Sequence, residues 1–175
     1  MSSRARNGDL ISRNIPIIAI MLSIQPPGYK IAYQARNDMG SVLEMIPENE
    51  SLDQWTEMFS VHIGRNIGEE SLAGLHALMK AQWEDMCPCG STEILKRGRE
   101  QGHPTLFWVH KCAHARYPGQ PTVKPEHTWF KALLSSGNIV IVQKAFRFEP
   151  SVKAVAFWLE FLRDLRVSPR LDPLH

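Results

Sequence analysis

The sequence predicts an α+β fold, in which an antiparallel sheet of about six to seven strands packs against two main helices. The central observation is a pair of apolar runs, residues 128–135 and 139–148, separated by Ser136, Gly137 and Asn138. Gly and Asn tolerate positive φ, so a tight hairpin is expected here. The second observation is a pair of amphipathic helical segments. Consecutive strands joined by short turns, combined with such helices, favour a layered α+β sandwich.

Composition places the chain among ordinary globular proteins. It has 175 residues, of which 43% are hydrophobic and 22% are charged. That length suits one domain with a hydrophobic core. The formal net charge is +2 and no long basic run occurs, so nothing indicates a nucleic-acid partner. No apolar run is long enough to predict a transmembrane span.

Residues 1–28 read as an N-terminal leader or degenerate signal segment. Arg4, Arg6 and Arg13 precede a short apolar run over residues 15–24, as in secretory signals. Pro16 interrupts the run and no A-x-A cleavage site follows, so an extra strand or loop is the alternative. We expect a single domain over residues 29–167, a tail over residues 168–175, and a periplasmic or secreted location, with a cytoplasmic one as the alternative.

Three strands are predicted before the first helix. Residues 29–35 alternate in polarity, a turn follows at residues 37–40, and residues 42–46 return. Residues 55–63 form the third strand. Strand side chains alternate between faces, so Trp55, Glu57 and Phe59 are expected to share one buried face.

The first helix is predicted over residues 69–86, because apolar side chains recur at helical spacing until Pro88 ends it. Its stripe consists of Leu72, Leu75, Met79 and Met86. A strand pair follows at residues 91–99 and 105–112, and residues 113–126 are expected to be the longest loop of the domain.

The second helix is predicted from Ser151 to about residue 167, with a broad apolar face that packs on the sheet. The order is therefore β-β-β-α-β-β-β-β-α. Trp55, Trp129 and Trp158 lie within apolar periodic segments, so we expect all three to be largely buried.

The three cysteines allow three interpretations, which are a disulfide, a metal site and free thiols. In an exported protein either Cys87 or Cys89 can bridge to Cys112. Alternatively, Cys and His side chains can bind a metal ion such as zinc, although the C-x-C and H-x-C-x-H spacings are unusual for a zinc site. That candidate set is Cys87, Cys89, His110, Cys112 and His114.

Two further groups of polar residues are candidates for catalysis. A Cys nucleophile with His110 or His127 as its base would make a hydrolase, but no spacing places either His beside a Cys. Glu57 and Glu126 are candidate acid/base groups. We favour structural ion pairs instead, in which Glu57 or Glu126 pairs with Lys131 or Lys144.

Three segments together resemble an uncharacterised family of small exported proteobacterial proteins. They are residues 50–61 (ESLDQWTEMFSV), 126–132 (EHTWFKA) and 142–150 (VQKAFRFEP), the last leading into a Trp-containing helix. The resemblance covers about residues 29–167. It implies a cysteine after the first helix and another before the loop over residues 113–126, so it selects Cys87 and Cys112 as the bridge and leaves Cys89 unpaired.

The element order is also similar to the PsbP-like α/β/α sandwich, which implies binding and assembly roles by fold analogy. We therefore expect a non-enzymatic exported protein without a cofactor, which binds an unknown protein or envelope component. The alternative is a Cys/His-based hydrolase or a metal-dependent enzyme.

Overall fold

The computed structural model describes residues 25–65, 71–117, 119, 123–135 and 137–165. The first part contains β1 (Tyr29–Asn37), β2 (Gly40–Pro47), a 3₁₀ turn at Leu52–Gln54, and β3 (Glu57–Gly64). The remaining elements are α1 (Ser71–Met86), β4 (Ser91–Glu100), β5 (His103–Ala115), β6 (Lys124–Ser135), β7 (Asn138–Phe146) and α2 (Val152–Asp164).

The described strands form one seven-stranded sheet in the order β1-β2-β3-β7-β6-β5-β4. Every neighbouring pair is antiparallel. Over the described residues, the predicted α+β class, the antiparallel sheet and the β-β-β-α-β-β-β-β-α order are confirmed. Strand β7 pairs with both β3 and β6, so the C-terminal hairpin joins the two halves of the sheet.

The β6–β7 hairpin is the predicted one. Ser135 pairs with Asn138, and Gly137 has a φ of 74°, a left-handed conformation that glycine adopts without strain. Most side chains of both strands are buried, because helices cover both faces of the sheet at this position. The second strand ends at Phe146, two residues earlier than predicted.

Helix α2 covers one face of the sheet, which we call the α2 face. Trp158 and Leu162 are its buried side chains. They join one cluster with sheet residues that alternate along their strands, including Phe59, Val61, Val142 and Phe146. Ser151 caps the helix, since its Oγ accepts a hydrogen bond from the Ala154 backbone N–H at 3.2 Å.

Helix α1 covers the opposite side, which we call the α1 face. Leu72, Leu75 and Met79 pack against a cluster that includes Trp108 and Phe130. These three side chains belong to the predicted stripe, which the structure confirms. At the C-terminal end of α1, Trp83 packs with a second cluster formed by Cys87, Cys112 and Ala115.

Three further predicted boundaries are wrong. Strand β3 begins at Glu57, and Trp55 precedes it, after the 3₁₀ turn. The ring of Trp55 packs with Ile46, Met58 and Ala145, so it does not share the face of Phe59. Strand β5 continues to Ala115 and β6 begins at Lys124, so the predicted loop over residues 113–126 is shorter. Pairing of Ala115 with Lys124 accounts for the difference.

Trp55, Trp129 and Trp158 are 9%, 6% and 7% exposed, which confirms their predicted burial. Residues 1–24 of the predicted leader, residues 69–70 and 166–167 of the two predicted helices, and the predicted tail over residues 168–175 lie outside the described residues. Among the helices of the described part, none has the length and apolar character needed to cross a membrane.

Candidate functional site

The sulfur atoms gather at the C-terminal end of α1. Cys87 and Cys112 form a disulfide with a Cα separation of 6.1 Å, inside the range that a bridge requires. This is the pairing that the family resemblance implies. Cys89 is free and exposed, and its Sγ lies 4.0 Å from Sγ of Cys87. The bridge ties the end of α1 to β5.

His110, one of the proposed bases and metal ligands, is a buried residue of the α1 face. Its Nε2 accepts a hydrogen bond from Nε1 of Trp108 at 3.1 Å, so Nε2 carries no proton. Nδ1 therefore carries the proton and donates to Oγ1 of Thr92 at 2.8 Å. The indole of Trp83 stacks on the imidazole, with ring centroids 5.1 Å apart.

Burial lowers the pKa of His110 to about 4, and His76 adds a smaller electrostatic contribution in the same direction. The imidazole is thus neutral at physiological pH, and both ring nitrogens are engaged. Such a group stabilises the core and has no free lone pair for a metal or for proton abstraction.

Of the other residues proposed for a Cys/His site, Cys112 and Glu126 lie on the same face as His110, but Cys112 is bonded to Cys87 and Glu126 accepts a hydrogen bond from Tyr117. Cys112 pairs with Glu126, and His110 pairs with Thr128, across the β5–β6 ladder. His127 projects to the opposite face because neighbours in a strand alternate. There its Nε2 lies 2.9 Å from Glu149 Oε2.

The five candidate metal ligands also separate chemically. Cys87 and Cys112 are joined as a disulfide, His110 is engaged as described above, and His114 is exposed. Within the part of the chain that the structure describes, no three His, Cys, Asp or Glu side chains are placed to hold a metal ion.

On the α2 face the structure encloses an ammonium group in a cage of aromatic rings. Lys144 is fully buried, and its Nζ lies 4.7 Å from the ring centroid of Tyr29, 4.6 Å from that of Phe146 and 4.2 Å from that of Trp158. Ring faces attract a cation through their quadrupole. The cage therefore binds the protein's own lysine.

Two oxygen atoms complete this cage. Nζ of Lys144 donates to Oε2 of Glu57 at 2.6 Å and to Oη of Tyr29 at 2.5 Å. The Tyr29 hydroxyl in turn donates to Oε2 of Glu57 at 2.7 Å. The predicted ion pair involving Glu57 is confirmed, with Lys144 as the partner.

The protonation of the cage follows from burial and from this ion pair. Burial lowers the pKa of Lys144 to about 8, although Glu57 opposes the change. Burial raises the pKa of Tyr29 far above its usual value, and the hydrogen bond to Glu57 adds to the rise. Burial also pushes the pKa of Glu57 upward, but the hydrogen bonds from Lys144 and Tyr29 outweigh it and leave that pKa lowered.

A buried amine with a lowered pKa is the type of group that enzymes use as a nucleophile. Here the Lys144 Nζ is surrounded by three rings and donates to two oxygens, and the residue has no exposed surface. Its contacts join β1, β3, β7 and α2. We therefore assign the cage a structural role.

A second buried lysine holds the other end of α2. Nζ of Lys131 donates to the carbonyl oxygens of Leu162, Arg163 and Leu165 at 3.0, 3.2 and 3.0 Å. It also lies 2.7 Å from Oε2 of Glu100. The last carbonyls of a helix lack partners within the helix, so a cation at this end stabilises it. The predicted pairing of Lys131 with Glu57 or Glu126 is wrong, because Glu100 occupies that place.

Glu126 belongs to a third polar cluster, on the α1 face. It accepts a hydrogen bond from the hydroxyl of Tyr117, and its Oε2 lies 3.5 Å from Nε of Arg147. The guanidinium lies over the rings of Trp55 and Tyr117, 3.7 and 4.9 Å from their centroids. Burial raises the pKa of Glu126, although Tyr117 and Arg147 oppose the rise. The cluster anchors the loop that follows β5.

Sequence reasoning named Lys131 and Lys144 only as partners for carboxylates and missed their role in anchoring α2. A signal was present in each strand. Lys144 lies two residues from Val142 and from Phe146, and Lys131 has the same relation to Trp129 and Leu133. A charged residue at the centre of such an alternating apolar run points into the core.

No protein-family model matches the chain, and no curated protein matches it. Among solved structures, a point mutant of the protein Mog1 is similar with a TM-score of 0.45 and 11% identity, over 78% of this chain and 76% of that one. The Ran-binding protein Mog1p of Saccharomyces cerevisiae is similar with a TM-score of 0.43 and 13% identity, over 79% of this chain and 76% of that one.

Proposed function

We propose that this chain is an exported, non-enzymatic protein of the periplasm or the extracellular space, with a binding or envelope-assembly role. The observation that carries the proposal is the buried disulfide between Cys87 and Cys112. Structural disulfides persist in oxidising compartments and are rare in the cytosol. Membership of the exported proteobacterial family that the sequence resembles, with a PsbP-like sandwich, is part of the same proposal.

The binding role is supported by apolar side chains that α2 leaves in solvent. Phe157 is 55% exposed, and its ring contacts the rings of Trp158 and Phe161, at centroid distances of 5.5 and 6.4 Å. Val152, at the start of the same helix, is 87% exposed. An aromatic ring that is supported from below by core aromatics presents a rigid apolar surface, which is typical of protein interfaces.

The compartment is tested by the thiol state of the protein in its own cells. Cells are quenched in acid, the protein is denatured without reductant, and free thiols are labelled with a maleimide that adds mass. We expect one label per chain in the wild type and none in Cys89→Ser, because the disulfide protects the other two sulfurs. Three labels per chain in the wild type would place the protein in a reducing compartment and refute export.

The binding role is tested by photo-crosslinking in the same cells. A photoreactive residue is placed at Phe157, or at Leu78 of α1 as a control, since Leu78 is an equally apolar side chain with 58% exposure. We expect a discrete adduct with a macromolecule from position 157 and not from position 78. Equal adducts from both positions, or none from position 157, would contradict a binding surface on α2.

A further inference from the structure

Three sulfur atoms, and not two, lie at the C-terminal end of α1. Sγ of Cys89 is 4.0 Å from Sγ of Cys87, which is already bonded to Cys112. Reacting atoms in productive complexes lie about 3–3.5 Å apart, so a small movement brings the free thiol into attacking distance. Cys89 is exposed, so solvent can take up its proton.

The backbone holds this arrangement in place. The Gly90 N–H donates to the Cys87 carbonyl at 2.9 Å and closes a tight turn with Pro88 in its second position. A Cβ atom at Gly90 would lie 2.9 Å from both the Lys111 carbonyl oxygen and Nε1 of Trp83. The turn is thus pressed between α1 and β5, and Cys89 is fixed beside the bridge.

We propose that Cys87, Cys89 and Cys112 form a thiol–disulfide exchange site, in which Cys89 displaces Cys112 from the bridge. The Cys89 thiolate attacks Sγ of Cys87, so the Cys87–Cys89 bond forms as the Cys87–Cys112 bond breaks. Cys112 leaves as a thiolate and takes up a proton equivalent to the one that Cys89 released. One disulfide and one thiol are present before and after, so the step needs no oxidant or reductant.

The exchange has a structural consequence. In the starting arrangement the bridge crosses from the end of α1 to β5, whereas in the product it lies within the turn. Helix α1 is then attached to the sheet by packing and by a hydrogen bond from the Arg116 N–H, just after β5, to the Met86 carbonyl at 3.1 Å. Cys112 is 1% exposed and packs with Trp83 and Ala115. A leaving thiolate in apolar surroundings is disfavoured, so the exchanged form is the minor one, at roughly 0.1–10% of molecules.

The test uses the purified wild-type protein without added oxidant or reductant. After incubation in mildly alkaline buffer, acid quenching stops the exchange, because only thiolates attack disulfides. The protein is then denatured and alkylated in acid, and its peptides are mapped without reduction. We expect most molecules to carry the alkyl group on Cys89, and roughly 0.1–10% to carry it on Cys112 together with a Cys87–Cys89 linked peptide.

Cys89→Ser is the control, because it retains the bridge and lacks the attacking thiol. We expect no alkylated Cys112 in this variant. Alkylation of Cys112 that is equally low in the wild type and in Cys89→Ser, at every incubation time, would overturn the proposal. The outcome does not depend on the compartment or on the binding role proposed above.

Discussion

The α2 face of the sheet buries two lysine ammonium groups, whereas the α1 face buries a neutral histidine and a disulfide. Lys131 and Lys144 reach α2 through hydrogen bonds to helix carbonyls and through ring contacts. On the other side burial keeps His110 uncharged, and Trp108 and Thr92 engage its two ring nitrogens. The attachment of α2 therefore depends on charge and aromatic packing, while that of α1 depends in part on the redox state of Cys87 and Cys112.

This contrast bears on function. In an oxidising compartment the Cys87–Cys112 disulfide would attach α1 to β5. Attack by the neighbouring Cys89 would break this bond and detach the end of α1. The anchoring of α2 uses no redox-sensitive group, so the exposed ring of Phe157 keeps its support in either state. The proposed binding surface and the proposed exchange site are thus independent of each other.

The largest effect is expected on the α2 face, at Trp158. Its ring contacts Tyr29, Phe59 and Phe161 and forms one wall of the Lys144 cage. Trp158→Ala removes this packing and should lower the free energy of unfolding by about 3–5 kcal/mol in urea titrations. Phe157→Ala, the exposed neighbour, should cost less than about 1 kcal/mol. Equal losses would mean that the ring is not part of the core.

A smaller loss is expected from Lys131→Met. The change leaves Glu100 and three carbonyl oxygens at the end of α2 without their buried cation. We expect a loss of about 2–3 kcal/mol in the free energy of unfolding. Lys153→Met, on the exposed side of the same helix, should change it by less than about 0.5 kcal/mol. If Lys131→Met left the free energy of unfolding unchanged, packing alone would hold the end of the helix.

The smallest effect tests the neutral histidine of the α1 face. Its pKa is lowered to about 4 in the folded protein, so between that value and 6.5 the unfolded chain binds more protons. Stability should therefore fall as the pH falls through this window, by roughly 2 kcal/mol between about pH 7 and about pH 5.

His110→Gln should remove this part of the acid destabilisation, and His114→Gln, an exposed control, should retain it. Urea titrations across the window measure the difference. If His110→Gln lost as much stability at low pH as the wild type does, the pKa of His110 would not be lowered in the folded protein.

The spacing of apolar residues predicts the sheet, the hairpin and both helices. Burial of one face imposes a period of two on a strand and of 3.6 on a helix. It did not predict the position of Trp55, since the 3₁₀ turn interrupts the alternation and turns the ring to the other face. The lysine cage was also missed, because its rings come from β1, β7 and α2, and only Phe146 is close to Lys144 in sequence. Spacing left two candidate bridges open, and only the family resemblance selected Cys87 over Cys89.

The independence of the two faces is tested most directly by hydrogen exchange with and without reductant, read by mass spectrometry. Reduction breaks the Cys87–Cys112 bond, which fastens α1 and touches nothing in α2. We expect amide protection to fall across Ser71–Met86 and to remain unchanged across Val152–Asp164. An equal loss of protection in both helices would contradict the account, because it would show that the two faces are held together as one unit.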